Sequence, residues 1–317
     1  MRPTSSVAIR PVDSGAMILT RPTYRRYLAL AVILGIGILG VWGKIALFAD
    51  GSHFLVNLLT SGEIYLGNPE RPYSTFVNEA PLLLAMKLGV TGMTSLTLAF
   101  SLGVVLVPAI VWAGAAALQI RNRLFWPFVL MWAAIYLNTG LFAVGEFNIT
   151  YAVIGLSASI LLLPYRIPLW LIIVLVAASV MLCRAYESVA IVGPLLALLA
   201  VVRFIRGRRE DARGETAGRV ERVGMLVSAL LLVIATLISV RAIFSSQNPG
   251  EVYLSNQFEL LHDRSLLFTT LACLALLLSA FLPGIARRIV LWIAFIVGAL
   301  TVIPFVDALL SGTGPYP

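Results

Sequence analysis

Nine stretches of this chain run for 14 to 27 residues with almost no charged side chain. A helix that crosses a bilayer needs about 20 mostly apolar residues, and about 17 at the lower limit. Inside lipid every backbone polar group must be satisfied within its own segment, so such runs fold as helices. The sequence therefore predicts an all-α polytopic membrane protein with about nine transmembrane helices. They lie at Tyr27–Phe48, Gly92–Leu118, Leu124–Val144, Ile149–Leu163, Ile167–Cys183, Val189–Val202, Val223–Val240, Ser265–Pro283 and Val290–Phe305. The fourth to sixth are short and call for little tilt or a thinned bilayer. Pro108 falls inside the second and predicts a kink there.

Composition excludes the soluble alternative. The chain has 317 residues, 60% apolar and 12% charged, with a mean hydropathy of +0.95, whereas soluble domains carry about 25% charge. Residues 1–317 form one transmembrane domain. The first run is preceded by Arg21, Arg25 and Arg26 but is long for a signal-peptide core, and no small-x-small cleavage site closes it, so it is expected to stay as the first span.

The net charge of +8 would suggest nucleic acid if the basic residues were clustered on a soluble face. They flank the apolar runs instead, so nucleic acid is not an expected partner. With the N-terminus in the cytoplasm and nine alternating spans, 17 of the 23 basic residues fall on inner segments. These are the tail 1–26, Arg121 and Arg123, Arg166, the seven arginines of the loop 203–222, and Arg287 and Arg288. That is the positive-inside bias, and it places the C-terminus outside. Trp126, Trp170 and Trp292 each follow an inner arginine by a few residues, as an interfacial belt would. The 203–222 loop is charged and mixed and predicts a solvated segment in contact with membrane lipids.

The acids distribute the other way. Ten of the 15, and both histidines, fall on the outer side or at outer helix ends. Acids contribute little to orientation, so topology alone does not account for this. Groups able to do acid–base or metal chemistry converge on one face. The largest outer segment, 49–91, predicts interfacial helices: Phe54, Leu55, Leu58 and Leu59 have helical spacing after Ser52 as an N-cap, 67–72 is turn chemistry, and Asn78-Glu-Ala-Pro81 starts a second short helix. A second outer loop spans 244–264.

Four clusters on that face can carry chemistry. Asp50 and His53, three residues apart, share a helix face where the first span ends; Asp50 is either a general base for an alcohol, a metal ligand with His53, or a cap on the helix dipole. Arg184-Ala-Tyr-Glu187 lies between two short spans; Arg184 suits a phosphate or pairs with Glu187, and Tyr186 lies between them. Glu146 stands at another outer helix end, as a ligand for a sugar hydroxyl or metal, or as an N-cap. His262 and Arg264 close the second outer loop, with Arg264 able to meet a lipid phosphate or to snorkel. Asn148-Ile-Thr150 has the glycosylation spacing but lies too near the bilayer. No nucleotide-binding fingerprint, Walker motif or GxSxG elbow occurs. The residues require no cofactor, though a divalent cation is compatible with them. Cys183 and Cys273 form neither a disulfide framework nor a CxxC metal knuckle.

Asp50 in Phe48-Ala-Asp-Gly-Ser-His53, just after the first span and before the long outer segment 49–91, resembles the layout of GT-C-type membrane glycosyltransferases. The resemblance covers mainly the first hundred residues. It implies an enzyme of the bacterial inner membrane that transfers a sugar from a polyprenyl-phosphate-type lipid carrier to a glycan or lipid acceptor on the non-cytoplasmic face. It implies Asp50 as the catalytic carboxylate that deprotonates or orients the acceptor, with Glu146 or Glu79 in support, and Arg184 and Arg264 on the departing lipid phosphate. Two other readings compete: a transporter or flippase, and a non-catalytic subunit of a polysaccharide or lipid export assembly.

Overall fold

The computed structural model describes residues 21–47, 50–64, 71–139, 147–186, 188–212, 218–245, 282 and 284–300. Among them the chain is helical throughout, with no strand. The helices are α1 (Arg21–Trp42), α2 (Asp50–Ser61), α3 (Pro72–Lys87), α4 (Met93–Ser101), α5 (Val107–Leu118), α6 (Phe125–Thr139), α7 (Phe147–Leu161), α8 (Leu169–Leu182), α9 (Val189–Ala212), α10 (Arg219–Ser245) and α11 (Gly284–Leu300). A π-helical turn, Leu102–Leu106, joins α4 to α5 without a break.

Four of the described helices are long and apolar enough to cross a membrane: Thr23–Trp42, Met93–Leu118, Val189–Gly207 and Arg219–Ala242. Shorter apolar helices cover Phe125–Tyr136, Phe147–Leu161 and Leu169–Leu182. Outward-facing side chains agree with a lipid setting. Val223, Leu226, Leu230, Val233 and Leu237 recur every three to four residues along α10 and all are exposed. In water that stripe would be a core face; exposed on a helix of this length and hydropathy, it suits hydrocarbon. The expected run 265–283 lies outside the described residues.

The helices meet through small residues, as packing in lipid requires close backbone approach rather than a hydrophobic drive. A Cβ on Gly37 or Gly40 of α1 would come within 2.7 Å of Ala109 and Val105. Gly155 of α7 lies flat against the Trp112 ring, Gly193 of α9 against Thr236, and Gly224 of α10 against Ile172.

Helix α7 is the centre. Ten of its 15 residues are buried, and it packs against α3, α5, α6, α8 and α9. Fifteen residues rise about 22 Å, short of a hydrocarbon core of about 30 Å. Protein surrounds α7 and supplies partners at its end. Arg203 donates to the carbonyls of Leu161, Leu163 and Tyr165 and to Glu221, using all five of its N–H groups. Gln119 Nε2 donates to Ser159 O at 2.7 Å, and Ser159 Oγ to Ala115 O at 2.6 Å. These bonds satisfy the carbonyls that a helix end leaves open.

Two ends of the bundle follow from these contacts. One gathers the start of α1, the α5–α6 turn, the end of α7, the Arg203 turn of α9 and the start of α10: Arg26 donates to Ile120 O and lies over the Phe125 ring, and Arg203 pairs with Glu221 at 3.2 Å. The other gathers α2, α3, the start of α7 and the turn after α8: Tyr73 N donates to Arg184 O at 3.3 Å. Among the described residues, Arg26, Arg203 and Glu221 thus lie at one end and Tyr73, Arg184 and Tyr186 at the other, with α7 between them. The charged segment after Val202 is not all loop, since α9 continues to Ala212 and α10 begins at Arg219. We expect Ser61→Cys, in a chain with Cys183 and Cys273 replaced by alanine, to react with an impermeant maleimide added outside intact cells. Gly218→Cys should react only after permeabilisation. Labelling of both from one side would reject the orientation.

Candidate functional site

Helix α3 has its polarity reversed. Pro72 sits in its first turn, where a missing N–H costs nothing. Its buried residues are Ser74, Thr75, Asn78, Glu79 and Leu82, spaced as one helix face. Tyr73, Phe76 and Leu84 are exposed. The side turned to the protein is therefore polar and the side turned away is apolar. Glu79 is 1% exposed and Asn78 4%. Carboxylates are almost never fully buried without a partner or a role.

Backbone and ring contacts hold α3 in place. Ser74 Oγ donates to Ala185 O at 2.8 Å, and Tyr73 N to Arg184 O, which fixes the start of α3 on the turn after α8. The Arg71 guanidinium lies 4.3 Å from the centre of the Tyr186 ring, a cation–π distance. The edge of Phe147 meets the same ring at 5.9 Å and 72°. Arg71, Tyr186 and Phe147 thus tie together the entry to α3, the α8–α9 turn and the first residue of α7.

On its other side α3 rests on the π-helical turn. A Cβ on Gly103 would overlap the carbonyl oxygen of Asn78, so backbone touches backbone. Asn78 Oδ1 and Ser101 Oγ are buried there without a hydrogen-bond partner among the described residues. Single π turns inside α-helices concentrate at functional sites. Pro108 occupies the first turn of α5, directly after this π turn.

Helix α2 approaches the same stretch. A Cβ on Gly51 would overlap Ala46 O and stand 3.7 Å from the Phe100 ring. Leu55 and Leu58 of α2, Leu82 of α3 and Phe100 of α4 share one apolar cluster. Asp50 and Glu79 therefore lie on two segments that converge on residues 100–103.

Asp50 is the first residue of α2, three before the exposed His53. Glu79 is buried, Arg184 exposed and Tyr186 half-buried. Glu146, Glu187, His262 and Arg264 lie outside the described residues. Arg71, Ser74 and Asn78 were not singled out from sequence. Their signal was polar residues at 71, 74, 75, 78 and 79, a helical period normally sought among apolar ones. Helix α3 starts at Pro72 rather than at Asn78, and Pro81 lies inside it.

Among the described residues no group of three or more His, Cys, Asp or Glu is placed to hold a metal ion. A cavity of about 30 Å³ lies beside the π turn between Gly37, Trp132, Tyr136 and Asn148, room for about one water. A cavity of about 570 Å³ lies at the opposite end, between Tyr165, Arg206 and Met225. Neither is lined by Glu79 or Arg184.

No family model matches the chain, and neither a curated protein nor a solved structure does.

Proposed function

We propose that the chain is a membrane glycosyltransferase of GT-C-like design, moving a sugar from a polyprenyl-phosphate-type carrier to a glycan or lipid acceptor on the face that holds α2 and α3. The observation that carries this reading is the inward polar face of α3, with Glu79 buried at the end of the bundle that also holds Asp50, Arg71 and Arg184. A buried polar face costs an apolar bundle stability unless each group finds a partner, and Ser74 and Thr75 find theirs in backbone carbonyls. Such a face supports a role in binding a polyhydroxylated group.

In this reading Asp50 accepts the acceptor hydroxyl's proton as that oxygen attacks the anomeric carbon. Glu79 and Asn78 hold sugar hydroxyls. The departing carrier phosphate gains negative charge as the glycosidic bond breaks, and a guanidinium placed there stabilises it most in the transition state. Arg184, exposed beside the α8–α9 turn, takes that role, with Arg71 on Tyr186 behind it.

The test is lipid and glycan mass spectrometry of cells lacking the protein, paired with transfer assays on the purified chain using polyprenyl-phosphate sugars. Loss of one glycoform with build-up of its lipid-linked sugar supports the assignment. Unchanged pools and glycans reject it. Within the same reading, Arg184→Ala is expected to weaken carrier-lipid binding by about tenfold, the order of one charge-assisted contact. Titration with the lipid would check this, and unchanged affinity would leave Arg184 as a residue whose carbonyl merely anchors α3.

A further inference from the structure

The 570 Å³ cavity lies at the end opposite the proposed transfer site, where α7, α9 and α10 meet. Its floor and walls are apolar, among them Leu162, Leu199, Phe204 and Met225. Its charged lining is mostly basic. Arg166, Arg203, Arg206 and Arg222 line it, against Glu221 as the one lining carboxylate among the described residues. Glu221 is held by Arg203, whose five N–H groups are spent on it and on the carbonyls at the end of α7. Arg203 is therefore wall rather than ligand-binding group. Arg166 and Arg206, both exposed, are the lining arginines that can face a ligand.

Exposed Tyr165 and Trp170 flank this end, and Trp126 stands on the neighbouring α6. Aromatic residues of this kind mark the membrane–water boundary. A greasy chamber with an arginine rim at that level is complementary to a molecule with a phosphate at one end and hydrocarbon at the other. Arginine's planar fork takes phosphate oxygens in pairs, and an anionic leaflet supplies such headgroups at high local concentration.

We propose that this cavity binds a phosphate group, delivered by an anionic phospholipid whose chain lies along the apolar wall. It is independent of the transfer site and stands whether or not the chain is a glycosyltransferase.

The experiment uses the full chain, purified in a non-ionic detergent, with dioleoyl-phosphatidylglycerol and dioleoyl-phosphatidylcholine added in equal amounts and retention read by native mass spectrometry. Arg166→Gln and Arg206→Gln are the variants, because both side chains are exposed and neither holds the fold. The phosphatidylglycerol adduct should dominate in the wild type and weaken by about fivefold with each substitution. Thermal melting of the variants should match wild type. Inorganic phosphate at millimolar concentration separates the two sources of the group. If it leaves the lipid adduct intact, the lipid is the ligand. If it displaces the adduct in an arginine-dependent way, the same arginines serve a soluble phosphate compound. Equal retention of both lipids, unchanged in the variants, would overturn the proposal.

Discussion

Asp50→Asn is expected to lower glycosyl transfer by about 10²–10⁴-fold, the usual contribution of a positioned general base, with a loss of no more than about 1 kcal/mol of stability. The substitution is chosen to separate two roles. Asp50 opens α2, where a carboxylate is also favoured by the helix dipole. Asparagine caps a helix N-terminus as well as aspartate does, but it cannot take a proton. A cap alone would leave Asp50→Asn fully active, and it would show itself in Asp50→Ala as a loss of about 1 kcal/mol of stability. Full transfer by the asparagine variant, measured with a lipid-linked sugar and the purified chain, would reject the base.

The second large effect concerns Gly103. Its hydrogen faces the carbonyl oxygen of Asn78, and a methyl group there overlaps that oxygen. Both partners are backbone, so no side chain can rotate away. Overpacking of this kind costs about 1–3 kcal/mol, and relief requires α3 to lift off the π turn. Gly103→Ala should therefore melt several degrees below wild type and lose transfer, since Asn78 and Glu79 move with α3. Gly114, on α5, faces open space, and a Cβ added there would meet nothing within 4 Å. Gly114→Ala should be neutral or up to about 1 kcal/mol stabilising, because it adds helix propensity without a clash. Equal melting temperatures for the two variants would show that α3 is not seated as described.

Much of the fold was legible because lipid makes the rule simple: a charge-poor run becomes a helix. The runs beginning near residues 27, 92, 189 and 223 correspond to four helices long enough to span. Their ends were less legible. Helix α1 stops at Trp42, where Gly43 and Lys44 (φ 53°) turn the chain, although the apolar run continues to Phe48. Helix α9 continues ten residues past Val202 into charged sequence, because Arg203 finds partners on α7 and α10 that hydropathy does not see.

The candidate site was legible in part for a related reason. Asp50, Glu79 and Arg184 stood out as charges beside apolar runs. Arg71 did not, since its partner Tyr186 is 115 positions away in the chain, a distance no local pattern bridges. Pro81 pointed to a helix start, yet it sits midway in α3 beside Gly103. Tertiary packing outweighs the single backbone hydrogen bond that proline removes.

The reversed polarity of α3 has a consequence for anyone altering this protein. A solubilising redesign, or a variant screen ranked by hydrophobicity, would take Phe76 for interior and Ser74 for surface. It would forbid Phe76→Ser and permit Ser74→Leu. The second change would strip Ala185 of its hydroxyl donor and press an isobutyl group into the polar seam, while the first would alter only an exposed side chain.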